Sequence, residues 1–165
     1  MKKALLVMAV VSTAAFATYK WTRSDVPVVK TDATLTQDRI WIDHIPRNDR
    51  DTFQIFLALT EEPVGIFQAA SQWAGQYEIF RYEMQGNEIR FVFPQNGDRE
   101  KATANARECR DHGHDYCLDI SGTKRGVKKY YSRKGWEIDG LTAEQAKQKA
   151  DAIIDDVIES LQTAK

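Results

Sequence analysis

The sequence lacks the residue patterns that usually reveal an enzyme. It contains no G-x-S-x-G turn, no H-E-x-x-H motif, no phosphate-binding loop and no G-x-G-x-x-G fingerprint. With 23 basic and 24 acidic residues, it also lacks the basic excess expected of a domain that binds nucleic acid. Internal repeats and low-complexity segments are missing as well. We therefore favour a binding or assembly role over catalysis, with no cofactor and no nucleic-acid partner.

Long apolar runs are also scarce, and the one that exists lies at the N-terminus. Lys2 and Lys3 precede an uncharged stretch, Ala4–Phe16, which is shorter than the ~20 residues of a membrane-spanning helix. Small residues at positions 15 and 17 fit a signal-peptidase site. We predict a signal peptide over residues 1–17, with an uncleaved N-terminal anchor as the alternative. The folded part is then periplasmic or secreted, or held at the inner membrane by the uncleaved segment.

The rest of the chain divides into a linker and one domain. Residues 18–37 mix charges and threonines without a hydrophobic period, so we predict a linker there and a single domain over residues 38–165. Alternating apolar residues predict strands, among them residues 52–62. Two further alternating segments flank Gln85–Asn87 and predict a β-hairpin with glycine in its turn.

Two helices are predicted beside these strands. In residues 98–113, Ala102, Ala106 and Cys109 recur at helical spacing and indicate a short inner helix. Near the C-terminus, Thr142 and Gln145 form a capping-box pattern before an amphipathic stripe. The expected fold is α+β: an antiparallel curved sheet or open barrel, with the short inner helix and the C-terminal helix packed on it. A closed lipocalin-like barrel is the alternative.

Cysteine is nearly absent, and its two copies enclose the segment CRDHGHDYC. Outside the cytoplasm thiols oxidise, so we predict a disulfide between Cys109 and Cys117. Free thiols are one alternative, and a metal site that uses His112 and His114 is another. Four ligands within nine residues cannot easily surround one tetrahedral ion, so no metal is expected.

One segment reverses the mildly negative charge of the chain. Residues 123–134 contain six basic side chains and no acidic one. A hairpin of this composition could bind an anionic envelope component, namely a protein, a polysaccharide or a lipid head group. A solvated edge hairpin is the alternative explanation. The predicted binding residues are Lys124, Arg125, Lys128, Lys129, Tyr130, Tyr131, Arg133 and Lys134.

Two other hypotheses use different residues. Aromatic side chains near the central hairpin could line the cavity of a small-ligand carrier, although such residues more often form a core. The members of this set are Trp73, Tyr77, Phe80, Tyr82, Phe91 and Phe93. A hydrolase of unknown specificity would need His44 near Ser71 or Ser132, and we do not expect Asp43 to orient His44, because neighbours on a strand point to opposite faces.

Taken together, these observations favour an exported, non-catalytic envelope protein that binds another envelope component through the basic, tyrosine-containing hairpin. In this reading the chain touches a membrane only through the N-terminal segment, if that segment is uncleaved.

Overall fold

The computed structural model describes residues 35–48, 50–71 and 75–163, which contain eight β-strands and one long helix. The predicted signal peptide, most of the predicted linker and Trp73 lie outside the described residues. The strands are β1 (Trp41–Ile42), β2 (Phe53–Ala58), β3 (Val64–Ala70), β4 (Gly75–Gln85), β5 (Glu88–Val92), β6 (Arg99–Asp111), β7 (His114–Ser121) and β8 (Lys129–Ser132), and the helix is α1 (Ala143–Thr163).

The strands form one antiparallel sheet in sequence order, and the sheet curves into a ring. Each strand pairs with the next, and β1 also pairs with β8 through Ile42 opposite Tyr131. The predicted hairpin is β4–β5, with Met84 opposite Ile89. The α+β prediction, with a curved antiparallel sheet and a C-terminal helix, is therefore confirmed. An open and a closed form of this sheet would differ only between β1 and β8, which the single pair Ile42–Tyr131 connects.

The interior of the ring is filled by aromatic rings. The ring centroids of Phe80 and Phe91 lie 4.9 Å apart, and those of Phe56 and Phe67 lie 5.0 Å apart. Gly65 stands directly opposite Phe80 in the β3–β4 register, and a Cβ at Gly65 would lie 2.3 Å from a carbon of the Phe80 ring. Glycine is thus required at position 65 because the Phe80 ring lies against its backbone.

The predicted inner helix over residues 98–113 is wrong, because this segment is strand β6. Ala102, Ala104 and Ala106 are all buried on its inner side, and the residues between them are exposed. A spacing of four residues fits a strand as well as a helix, so Ala102 and Ala106 alone could not distinguish the two. The small side chains face the aromatic cluster, where larger ones would overfill the interior.

Helix α1 covers one outer side of the ring. Its capping box is present as predicted: the Thr142 amide donates to Gln145 Oε1 at 3.0 Å, and the Gln145 amide donates to Thr142 Oγ1 at 3.3 Å. Ile153 and Val157 pack in a second core with residues of β1 and β2 such as Phe53. Of the helices in the described ranges, none is both long and apolar enough to cross a membrane.

The ring has two ends, which the strand directions define. The loops after β1, β5 and β7 lie at one end, which we name the Arg125 end after the residue that covers it. The turns after β4 and β6 and the connection from β8 to α1 lie at the other end, which we name the disulfide end.

Candidate functional site

The Arg125 end is covered by one side chain from the loop between β7 and β8. The guanidinium of Arg125 lies 4.3 Å from the Phe67 ring centroid and 4.4 Å from that of Phe93. Only 13% of the side chain is exposed. Stacking on aromatic faces is favourable for arginine, because its planar cation is weakly hydrated and meets the negative face of the ring. Arg125 therefore closes the interior at this end.

Two carboxylates neutralise Arg125. Its Nη1 lies 2.8 Å from Oε2 of Glu100, whose side chain is 5% exposed, and its Nη2 lies 2.5 Å from Oε2 of Glu78, whose side chain is 51% exposed. With two acids for one base, this cluster carries one negative charge in excess. The Arg125 side chain is thus held as a structural element and is not free to bind a polyanion.

A groove of about 460 Å³ opens beside this ion pair, lined partly by Phe67 and Arg125. Tyr77 stands at its edge with 68% of its surface exposed. Gln54 also lines it, donating from Nε2 to the Arg125 carbonyl at 3.3 Å and accepting from the Tyr130 hydroxyl at 3.3 Å. The remaining lining residues are Gln68, Ala69, Gly75, Gln76 and Glu78. The structure thus places Arg125 of the predicted basic hairpin and Tyr77 of the predicted aromatic pocket along the same groove.

The other residues of the predicted basic hairpin do not form one surface. Lys124 lies 3.9 Å from Asp98, and Lys129 Nζ lies 2.6 Å from Oδ2 of Asp111. Tyr130 is completely buried in the interior, where burial raises the pKa of its hydroxyl. The inward position of Tyr130 follows from the alternation of β8, and it removes this ring from any contact with a partner.

The remaining basic residues are divided between the two ends. Lys128 is exposed just before β8, and Lys134 is exposed after it. Arg133 lies over the Trp136 ring, 5.7 Å from its centroid, and Tyr131 is half-buried on the outer side of β8. These side chains therefore share a stretch of sequence but not a site.

Most of the predicted pocket residues belong to the core. Phe80, Phe91, Phe93 and Tyr82 are buried within the ring. The Tyr82 hydroxyl donates to the Leu59 carbonyl at 2.7 Å, and burial raises the pKa of Tyr82 to about 12. Tyr77 is the one member of the described set that is exposed.

At the disulfide end, Cys109 and Cys117 are joined as predicted, with their Cα atoms 5.7 Å apart. A register shift between Glu108 and Asp111 interrupts the β6–β7 ladder next to this bond. Beyond it, the tip of the hairpin reaches the outer side of β8, where His112 and His114 both contact Tyr131. The disulfide therefore fixes a hairpin tip that folds over a neighbouring strand.

His114 occupies the centre of this packed tip. It is 3% exposed, and its ring centroid lies 5.1 Å from that of Tyr131 and 6.2 Å from that of Trp136. Neither ring nitrogen has a hydrogen-bond partner among the described residues. Burial, and secondarily the charge of Arg133, lowers the pKa of His114. No group of three or more metal-binding side chains occurs in the described ranges. The exposed His112 and the buried His114 both lie against Tyr131.

The predicted geometry of His44 is wrong. Nδ1 of His44 lies 2.9 Å from Oδ1 of Asp43, and Nε2 lies 3.4 Å from Oδ1 of Asp51. Strand alternation does not apply here, because β1 already ends at Ile42. Both carboxylates also accept backbone amides, Asp43 from Gln54 and Asp51 from Arg47, and the Arg47 amide lowers the pKa of Asp51.

The two serines considered with His44 occupy different ends of the ring. Ser132 is completely buried at the end of β8, on the side away from the β1–β2 loop that holds His44. Ser71 directly follows β3 at the Arg125 end. The hydrogen bonds and ion pairs of His44, Asp43 and Asp51 hold the β1–β2 loop together.

Sequence reasoning missed three residues that build the Arg125 end. Phe67 lies in a short apolar segment whose pattern fits either a strand or a helix, and nothing in the sequence distinguishes Glu78 from the other acids. Glu100 faces inward on β6, two residues before Ala102. A strand assignment over this segment would have predicted a buried carboxylate, which needs a basic partner.

No protein-family model matches the chain, and neither a curated protein nor a solved structure is significantly similar to it.

Proposed function

We propose that the protein is an exported, non-catalytic domain that binds a polysaccharide of the cell envelope in the groove at the Arg125 end. The observation that carries the proposal is the exposed Tyr77 ring at the edge of a groove lined by glutamine amides and a fixed Glu78–Arg125 pair. Arg125 comes from the basic segment and Tyr77 from the aromatic set, which the sequence analysis assigned to two separate hypotheses.

The groove has the chemistry that sugars require. A pyranose ring offers an apolar C–H face for an aromatic ring, and tyrosine provides such a face together with a polar hydroxyl. Sugar hydroxyls both donate and accept hydrogen bonds, and glutamine amides match them because each amide also does both. Gln54, Gln68 and Gln76 supply three such amides.

Charge defines the kind of polysaccharide. Arg125 is already paired with Glu78 and Glu100, so the groove offers no uncompensated positive charge. A polyanion would meet two carboxylates and a saturated guanidinium. The proposed ligand is therefore a neutral or amine-bearing glycan, and the contribution of Arg125 is to shape the groove.

The proposed location is the periplasm or the extracellular space. The apolar N-terminal run supports export, and a disulfide-bonded domain is compatible with an oxidising compartment. Glycans of the envelope are present in the same compartments.

The test is a binding measurement with three immobilised polymers: peptidoglycan fragments, a neutral β-glucan and an acidic uronate polymer. We expect the wild type to bind a neutral polymer or the peptidoglycan fragments more tightly than the uronate polymer. Tyr77→Ala should weaken that binding about threefold to tenfold, because an aromatic stacking contact contributes roughly 0.5–1.5 kcal/mol.

Strand β4 provides a matched control. Gln76 and Gln85 are both exposed on this strand, but Gln76 lines the groove and Gln85 lies at the other end of the ring. Gln76→Ala should weaken binding, whereas Gln85→Ala should leave it unchanged. If the wild type binds none of the polymers, or if Tyr77→Ala binds as the wild type does, the proposal is wrong.

A further inference from the structure

A second exposed surface lies on the outer side of β4, β5 and β6, away from the groove. We name it the basic sheet face, and its residues are Ile79, Arg81, Glu83, Glu88, Arg90, Val92, Arg99 and Lys101. A depression of about 620 Å³ runs between the side chains of these strands. Helix α1 covers the outer side of β1 and β2, and no described element of the chain covers this face.

The positive charges of this face differ in their partners. Arg90 and Lys101 share Glu88, at 2.9 and 2.5 Å. Arg81 and Arg99 are exposed and form no ion pair with another described residue. The register places both opposite Val92, one on each side, so the two guanidinium groups belong to strands about 9.6 Å apart.

Apolar side chains accompany these free charges. Ile79 is 39% exposed and Val92 is 36% exposed, and together with Tyr77 they are the most exposed large hydrophobic residues of the described chain. The face also carries Glu83 and Glu88, but its four basic residues exceed these two acids, and the row of arginine, valine and arginine places the unpaired charges beside exposed apolar groups.

We infer that the basic sheet face docks on an anionic lipid bilayer. Free arginines bind lipid phosphates, and Ile79 and Val92 are placed to enter the boundary between head groups and acyl chains. The N-terminal apolar run brings the chain to a membrane during export, or keeps it there if uncleaved. A soluble polyanion would need the arginines but would gain nothing from exposed isoleucine and valine. The membrane contact is independent of glycan binding.

The test is cosedimentation of the protein with vesicles at low and at physiological salt. Vesicles of phosphatidylglycerol and phosphatidylethanolamine should bind the wild type, and vesicles of phosphatidylcholine alone should not. Arg81→Ser/Arg99→Ser should weaken binding to the anionic vesicles about thirtyfold, since each basic residue near such a surface contributes about fivefold. Binding should also fall as salt is raised.

A control variant with the same change in net charge distinguishes binding by this surface from attraction of the whole protein to anionic vesicles. Arg107 and Lys147 are exposed and paired with acids elsewhere on the molecule. Arg107→Ser/Lys147→Ser should bind vesicles nearly as the wild type does, and Ile79→Ser/Val92→Ser, with its fold checked by thermal melting, should bind more weakly. The inference is wrong if Arg81→Ser/Arg99→Ser and Arg107→Ser/Lys147→Ser bind vesicles equally. It is also wrong if the protein binds only a soluble polyphosphate, or if it self-associates without binding vesicles.

Discussion

The two ends of the ring are closed by different chemistry. At the Arg125 end, one cation lies between two phenyl rings and two carboxylates, and an open groove remains beside it. At the disulfide end, a covalent bond holds a hairpin tip against a tyrosine and a tryptophan, and the buried His114 has no hydrogen-bond partner among the described residues.

The two ends therefore differ in what they leave open to a ligand. A saturated ion pair fixes geometry without offering charge to a ligand, so polar groups next to it can be held in place for recognition. A covalent clamp instead fixes a packed surface that leaves little open space. The proposed ligand binding therefore belongs to the Arg125 end, and the disulfide end has a stabilising role.

The largest effect is expected from breaking the Arg125 end. Arg125→Met removes the cation and leaves Glu100 buried without its partner, which should lower the free energy of unfolding by about 3 kcal/mol. Lys124→Met is the matched control, because Lys124 lies in the same loop with its side chain 70% exposed and only a long contact to Asp98. That control should cost less than about 0.5 kcal/mol. Urea unfolding measures both, and equal losses would contradict the assigned role of Arg125.

A slightly smaller effect is expected from opening the disulfide end. Cys109→Ala/Cys117→Ala releases a loop with a sequence separation of 8, for which the chain-entropy relation gives about 2.5 kcal/mol. Amide hydrogen exchange should then accelerate around residues 111–114 while the Arg125 end stays protected. A uniform acceleration at both ends would show that the disulfide does not act locally.

The smallest effect is a dependence of stability on pH. Because the pKa of His114 is lowered in the folded state, the unfolded chain binds more protons as the pH falls from about 6.5, and stability decreases. The slope from this one group cannot exceed about 1.4 kcal/mol per pH unit. His114→Phe, which keeps an aromatic ring against Tyr131 and Trp136, should flatten the curve between pH 5 and 7. Parallel curves for the two proteins would exclude His114 as the source.

The sequence predicts the strands and the terminal helix well, because their patterns have one interpretation. The β4–β5 hairpin has a glycine turn and strict alternation, and α1 has a capping box and a continuous stripe. The helix prediction over β6 is wrong because Ala102 and Ala106, four residues apart, fit both periods, whereas Ala104 between them fits only a strand. The disulfide was predictable because the sequence contains only two cysteines, which can pair only with each other.

The candidate site was only half predictable. Arg125 and Tyr77 stood out in sequence, but they were assigned to two separate hypotheses because 48 residues and three turns separate them. Their meeting at one groove depends on the closure of the ring, which no local pattern encodes. Tyr130 shows the converse, since a tyrosine within a basic run looks exposed until the alternation of β8 turns it inward.

The most direct test is to map the contact of a neutral oligosaccharide on the protein by NMR chemical-shift perturbation. We expect shifts at Gln54, Gln68 and Gly75–Glu78, with His112 and His114 unaffected. Perturbations confined to the disulfide end, or none at saturating concentrations of neutral glucan and peptidoglycan oligosaccharides, would contradict the assignment of binding to the Arg125 end.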